Sequence, residues 1–317
     1  MTPREGPLPA VTAFGGGHGL AATLAALRLL THRLTAVVTV ADDGGSSGRL
    51  RDEFDILPPG DLRMALAALC GSDEVGRTWA DVLQSRFPGS GPLAGHAIGN
   101  LLIAGLWGRL ADPVAGLDLV ASLLHVQGRV LPMAAVPLVI EADVIGADPD
   151  RPDELSLVRG QAKVAKVKGE VLSVRLVPEN PPCRPEVIAS VAEADFLIFG
   201  PGSWFTSVIP HLLVPELAAA IHASPARRIL TMNLIPADET DGLSASRHLE
   251  VLAEHAPELR LDLVVVDPTF AAGDTHLEAF AASLGARLVV EDVRMRDGSP
   301  RHDPYRLAAV YAELLGV

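Results

Sequence analysis

Short runs of β-branched and other apolar residues alternate with longer alanine- and leucine-rich stretches along this chain, and that alternation constrains its fold more than any other feature. The runs at 10–14, 34–40, 136–140, 196–199, 228–232, 261–266 and 287–290 read as strands. The stretches at 20–30, 62–69, 100–109, 186–192, 245–254 and 305–315 read as helices. Strand followed by helix, repeated, is the βα unit, and its usual outcome is a mostly parallel sheet with helices on both faces. The expectation is therefore an α/β fold of three layers. One stretch departs from the pattern: 161–177 reads as two strands of period two around Lys168-Gly169-Glu170, a hairpin rather than a crossover. With no strong shift in composition elsewhere, 8–317 reads as a single domain carrying a hairpin insertion at about 155–180.

Charge narrows the choice of ligand. Lys and Arg number 26 against 39 Asp and Glu, a formal net charge of −13, so the overall field repels nucleic acids and anionic membranes. An anionic small molecule has to be held by a local exception, such as backbone amides or a few arginines. The two cysteines, Cys70 and Cys183, stand in no disulfide or zinc spacing. Residues 1–9 lack the apolar stretch of a signal peptide, and no apolar run reaches the roughly 18 residues of a spanning helix, so the expected setting is the cytoplasm.

The first candidate exception follows the first strand, where Gly15-Gly16-Gly17-His18-Gly19 leads into a helix at Leu20. Glycines permit positive φ and close backbone approach, and the free N–H groups of the next helix attract an anion. Gly17-x-Gly19-x-x-Ala22 also fits the alanine form of the dinucleotide pattern, with Asp42 and Asp43 downstream. A tight turn without a ligand is the alternative. The second candidate is Ala41-Asp42-Asp43-Gly44-Gly45-Ser46-Ser47-Gly48-Arg49-Leu50-Arg51, a polar loop after the second strand. Its carboxylates accept from ribose or base donors or ligate Mg2+, while Arg49 and Arg51 face phosphate. A solvated loop with internal ion pairs is the alternative here.

Other strand ends supply further groups. In Pro58-Pro59-Gly60-Asp61-Leu62-Arg63, Asp61 reads as a helix cap; Arg63 opposes the helix dipole and is a candidate to face a ligand. Gly95-His96-Ala97-Ile98-Gly99-Asn100 opens an apolar helix and places His96 and Asn100 four residues apart. Gly200-Pro201-Gly202-Ser203-Trp204-Phe205-Thr206-Ser207 follows the fourth predicted strand, with a helix expected after Pro210, and Asn233 with Glu239-Thr240-Asp241-Gly242 follows the fifth. Ligands of open α/β sheets lie beyond the carboxyl ends of strands, so these loops and the first glycine turn are expected to share a crevice. Local turn bonding is the alternative for Ser203, Thr206 and Ser207. P-loop, G-x-S-x-G and H-E-x-x-H patterns are absent from the sequence.

Taken together, the Gly15–Gly19 turn, the 41–49 loop, Pro59-Gly60-Asp61-Leu62-Arg63, Gly95-His96 with Gly99-Asn100, and Gly200-Pro201-Gly202-Ser203 resemble the YvcK family of gluconeogenesis factors, related to the CofD phospholactate transferases. The resemblance runs from about Ala10 to the carboxyl terminus. It implies a Rossmann-like fold, binding of UDP-sugars such as UDP-N-acetylglucosamine or UDP-glucose, and a role in cell shape and envelope metabolism on gluconeogenic carbon sources. It also implies a homodimer and a regulatory partner protein. Arg296, in a closing Arg296-Asp297-Gly298 motif, becomes a candidate for the diphosphate, and Phe270 lies near a base-stacking position. Met64 departs from the asparagine usual in the family. The expected function is a nucleotide-sugar-binding regulator that requires no cofactor, with Mg2+ at Asp42 and Asp43 as an option. The alternative is a CofD-like transferase in which Asp42 or Asp43 assists attack at phosphorus. A nicotinamide oxidoreductase has the glycine pattern alone in its favour.

Overall fold

The computed structural model describes residues 7–236 and 238–317; residues 1–6, part of the amino-terminal reading above, lie outside them. Among the described residues the strands are β1 (Val11–Gly15), β2 (Leu34–Val38), β3 (Arg129–Pro132), β4 (Val139–Ile145), β5 (Leu155–Arg159), β6 (Glu170–Val177), β7 (Phe196–Phe199), β8 (Arg227–Thr231), β9 (Leu263–Val266) and β10 (Arg287–Val290). They form two sheets. The larger has seven strands in the order β10-β9-β8-β7-β1-β2-β3, every pair parallel. The smaller has three, β5-β4-β6, all antiparallel.

Parallel strands covered on both faces read as unbroken apolar runs, and β1, β7 and β9 are buried at every position. Across the central β1–β7 pair, Phe14 and Phe199 stack with ring centroids 5.0 Å apart. From β1 the chain steps to β2 and later β3 on one side, then returns to β7 and steps to β8, β9 and β10 on the other. Because βαβ crossovers are right-handed, this reversal sends the connecting helices to opposite faces. Accordingly, Gly17–Leu27 packs with Gly60–Leu69 and Pro304–Leu315 in one layer, while Pro215–Ala223 packs with Pro185–Ala192 in the other. The reversal also opens a crevice between β1 and β7. The architecture is the expected α/β Rossmann-like one.

Several local expectations need correction. The run at 136–140 does not enter the parallel sheet; β4 forms the centre of the small sheet, and β3 takes the edge of the large one. The 161–177 hairpin does not form, because Gln161–Val164 is a short helix and β6 pairs with β4. The polar 41–51 stretch is largely helical, with a helix over Gly45–Phe54. Helical turns begin at Trp204, ahead of Pro210. Among the described residues no single helix is long and apolar enough to cross a membrane.

Candidate functional site

The crevice is built by close approach of backbones. Gly16 is extended and Gly17 sits at φ +55, which turns the chain from β1 into its helix. A Cβ at Gly19 would fall on the Pro201 carbonyl oxygen and within 3.0 Å of Gly202 Cα, so glycine here lets the β1 and β7 ends close on each other. Asn233, just past β8, clamps the same loop: its side-chain oxygen accepts from the Gly202 N–H and its amide donates to the Gly202 carbonyl, both at 2.8 Å. Three neighbouring strand ends are thereby fixed to one another.

Beyond them lies a cavity of about 410 Å3, whose walls include His18 and Gly19 from the first corner, Gly202 and Ser203 from the second, and Arg301 and His302 from the carboxyl-terminal segment. The first N–H groups of a helix have no intrahelical acceptor, so the His18 and Gly19 amides are the donors this wall offers. Ser203 donates to Glu239 and shares a short hydrogen bond with Thr206. Burial pushes the pKa of Glu239 up, partly offset by the Ser203 hydroxyl. Burial also pushes His302 down to about 4, so its ring is neutral near pH 7, with Nε2–H donating to the Met232 carbonyl at 3.2 Å. A neighbouring cavity of about 510 Å3 shares Asp238 and Glu239 but opens toward Lys166, Lys168 and Arg247. It lies away from the β1–β7 reversal, so the smaller cavity is the better candidate.

Asp61 is not a helix cap. Its carboxylate reaches under the first glycine corner, where it accepts from Thr39 Oγ1 at 3.1 Å and from the Gly17 N–H. A Cβ at Gly16 would come within 2.6 Å of it. Burial, reinforced by the charge of Asp42, pushes the pKa of Asp61 up to about 6. The Gly17 amide is therefore engaged from inside the protein, and the corner's anion-facing donors reduce to the next two residues.

The second strand end closes on itself. Ser46 and Ser47 are buried in the first turn of Gly45–Phe54. Ser46 Oγ accepts from Asn100 Nδ2 at 3.0 Å and from the Ala97 N–H at 3.3 Å. Its own proton then points to His96 Nδ1, 3.0 Å away, which makes that nitrogen an acceptor and the ring neutral. Burial, with Arg49 nearby, lowers the His96 pKa in the same direction. Arg63 is 4% exposed and passes over Gly99, where a Cβ would sit 2.7 Å from its Cγ. Its Nε and Nη1, and Oδ1 of the 1% exposed Asn100, have no hydrogen-bond partner among the described residues. Burial lowers the Arg63 pKa, with Arg86 adding to the fall and Asp61 and Asp42 opposing it.

The loop arginines are spent on backbone. Arg49 donates to the Ala94 carbonyl at 2.9 Å and Arg51 to the Leu138 carbonyl at 2.6 Å. Asp42 accepts from the Gly44 N–H at 3.0 Å, and Asp43 from the Ala162 N–H at 2.8 Å. Asp43 thus holds the Gln161–Val164 helix, while the charge of Asp42 acts on Asp61. Among the described residues no group of three or more His, Cys, Asp or Glu is placed to hold a metal ion.

Of the predicted residues, His18, Gly19, Gly202 and Ser203 share the cavity wall, with Thr206 and Gly200 behind it and Gly15 to Gly17 at its shoulder. Ser46, Ser47, His96 and Asn100 form a separate buried cluster with Arg63 in contact below it. Arg296 is exposed at a turn, whereas Arg301 lines the cavity. Phe270 packs edge-on against His248, with centroids 5.3 Å apart. Sequence reasoning passed over Arg301, gave His302 only a place in the closing motif after Arg296, and gave Asp61 only a capping role. The first two reach the wall because Arg294 and His302 bridge and fold their segment back, a pairing with no local signature.

Fold and site define an α/β protein of Rossmann-like architecture with its cleft at the reversal of strand order. The family model for CofD, 2-phospho-L-lactate transferase, matches residues 11–296. A Mycobacterium tuberculosis (strain H37Rv) relative, named provisionally as a gluconeogenesis factor, is 54% identical over 304 residues, 95% of this chain and 88% of the relative. The gluconeogenesis factor of Bacillus subtilis (strain 168) is 32% identical over 326 residues, 98% of this chain and 99% of the relative. The crystal structure of a UPF0052-family protein from Bacillus halodurans superposes with a TM-score of 0.82 at 32% identity, covering 95% of this chain and 97% of that one. The chain belongs to the CofD-like family and groups there with the gluconeogenesis factors of the YvcK/UPF0052 type.

Proposed function

We propose that this protein is a cytoplasmic regulator that binds a UDP-sugar, such as UDP-N-acetylglucosamine or UDP-glucose, and reports envelope-precursor supply during growth on gluconeogenic carbon sources. The observation that carries the reading is the cavity of about 410 Å3 that joins the His18-Gly19 corner to Gly202 and Ser203. In this reading the diphosphate meets the His18 and Gly19 amides at the positive end of the Gly17–Leu27 helix. Arg301 supplies the nearby cation, and Ser203 and Asn233 orient the rest of the ligand. Binding of this kind needs no metal and no chemical step, and a partner protein reads the occupied state to adjust cell shape and envelope metabolism.

A second reading has its own support. Asp61, with its pKa raised to about 6 beside the glycine corner, suits a general base for a CofD-like transfer of a substituted phosphate from a nucleotide-activated donor. A ligand panel separates the two. A binder present at one hundred times its dissociation constant stabilises the fold by about 2.7 kcal/mol, readable as a melting shift. The expected pattern is a shift with both UDP-sugars and none with NAD. A shift with NAD alone overturns the UDP-sugar reading, and turnover of a phospholactyl nucleotide donor replaces it with the transferase.

A further inference from the structure

Of this chain's 26 cationic side chains 23 are arginine, and its three lysines, Lys163, Lys166 and Lys168, fall within six residues. Two of the three line the cavity of about 510 Å3, where the segment leading into β6 meets the 238–243 turn and helix Ala245–His255. Arginine suits planar, bidentate partners, whereas lysine carries a compact ammonium on a flexible stem. The cavity is therefore where this chain departs from its own preference, and the departure supplies point charges.

The charged groups of this cavity sort into two sets. Arg247 is already held by Glu250 and Glu254, each at 2.8 Å, with Glu170 at 4.0 Å, and Glu239 accepts from Ser203. Lys166, Lys168, Asp238 and Asp241 enter no ion pair and no side-chain hydrogen bond among the described residues. Two ammonium groups thus come from the segment before β6 and two carboxylates from the 238–241 turn, so a plain anion or a plain cation would leave one set unmet. Phe205 and Val251, 1% and 2% exposed, add an apolar floor. β6 pairs with β4 on one side and with no strand on the other, and its first residues, Glu170 and Val171, line the same space.

We propose that this cavity binds a short peptide with free termini, its carboxylate on Lys166 and Lys168 and its ammonium on Asp238 and Asp241. A space of this volume is about 8 Å across and an extended chain advances about 3.3–3.6 Å per residue, so it takes roughly two or three residues. An extended backbone also finds donors and acceptors along the unpaired edge of β6, in the manner of an added strand. An apolar side chain on the peptide meets Phe205 and Val251. The site goes beyond the nucleotide-sugar cleft and does not depend on what that cleft holds. The two are neighbours all the same: Glu239 stands in both walls, and Ala165, adjoining Lys166, lines the smaller cavity.

Calorimetry of the full chain with the tripeptide Ala-Leu-Ala, together with amine labelling, tests the proposal. The expected result is saturable binding with a dissociation constant below about 1 mM. Blocking either end of the peptide, by N-acetylation or C-amidation, is expected to weaken it about tenfold, the size of one charge-assisted contact. Reductive methylation read by mass spectrometry locates the site: the peptide should protect Lys166 and Lys168 and leave Lys163, exposed and outside the cavity wall, reactive. Lys166→Gln combined with Lys168→Gln, and separately Asp241→Asn, lie at exposed positions and should each weaken binding about tenfold with the melting temperature unchanged. Neither heat nor protection at roughly 1 mM peptide overturns the proposal. So does an N-acetylated peptide that binds as well as the free one, which makes the cavity a plain anion site, or equal protection of all three lysines. These assays contain no nucleotide sugar, so their outcome is separate from the test of the cleft.

Discussion

The ends of β1 and β2 are written in the same vocabulary of glycines and small polar residues, yet the first opens on a cavity while the second turns its polar groups inward. Their neighbours account for the difference. β1 stands where strand order reverses, so no crossover helix fills the space beyond its carboxyl end. β2 lies on one side of that point, and helix Ile98–Leu110 brings His96 and Asn100 over its end to occupy the hydroxyls of Ser46 and Ser47. A glycine-rich strand end is thus a binding corner only where the topology leaves room beyond it.

The sharpest way to break this comparison is to place a methyl group at each end. Gly19→Ala drives a Cβ into the Pro201 carbonyl, backbone against backbone, and is expected to lower UDP-sugar affinity by roughly a hundredfold and stability by about 1–3 kcal/mol. Gly45→Ala meets nothing within 4 Å, although Gly45 sits at φ +48. Its strain of roughly 1–2 kcal/mol should appear in melting with affinity changed by no more than about threefold, within a fraction of a kcal/mol. Titration calorimetry on both variants decides it. Equal loss of affinity would mean that both ends contact the ligand.

The alternation of strands and helices was legible because each parallel strand is apolar throughout, as β1, β7 and β9 are. β3 was missed because Arg129-Val130-Leu131-Pro132 has four residues and ends in a proline, which a strand accepts at a sheet edge, although three of the four are buried. β4 was placed in the wrong sheet, since period and composition do not encode a partner. At the site, glycine positions were readable from backbone need alone. The destinations of Asp61, Arg49 and Arg51 were not, because a long or charged side chain is directed by tertiary neighbours such as Thr39, Ala94 and Leu138. A motif supplies donors and acceptors; packing decides which of them the protein consumes itself.

Asp61 marks the boundary between the two ends, and pH sharpens it. Its carboxyl is raised from 3.8 to about 6 on folding, so between those values the folded state holds a proton that the unfolded state has released. Stability from this group therefore declines as pH rises through that window and is lowest above it. Asp61→Asn keeps an acceptor for the Gly17 N–H and removes the charge facing Asp42. Its melting temperature is expected to gain on the wild type as pH rises from about 4 to 7, with a flatter profile of its own. Parallel profiles for the two proteins would mean that burial and the charge of Asp42 do not raise the Asp61 carboxyl.

The smallest effect expected is at Arg49, and it is the most direct check on the second strand end. Arg49 donates to the Ala94 carbonyl at 2.9 Å and more weakly to that of Pro92 at 3.4 Å. A guanidinium already directed at two carbonyls in an exposed loop has little left to offer a phosphate. Arg49→Ala should accordingly leave UDP-sugar affinity within about twofold. Arg301→Ala, on the cavity wall, is expected to weaken it about tenfold, the size of one charge-assisted contact. If the two losses come out equal, or their order is reversed, the diphosphate lies toward β2, and the division of labour between the two glycine-rich ends has to be redrawn around the Ser46 cluster.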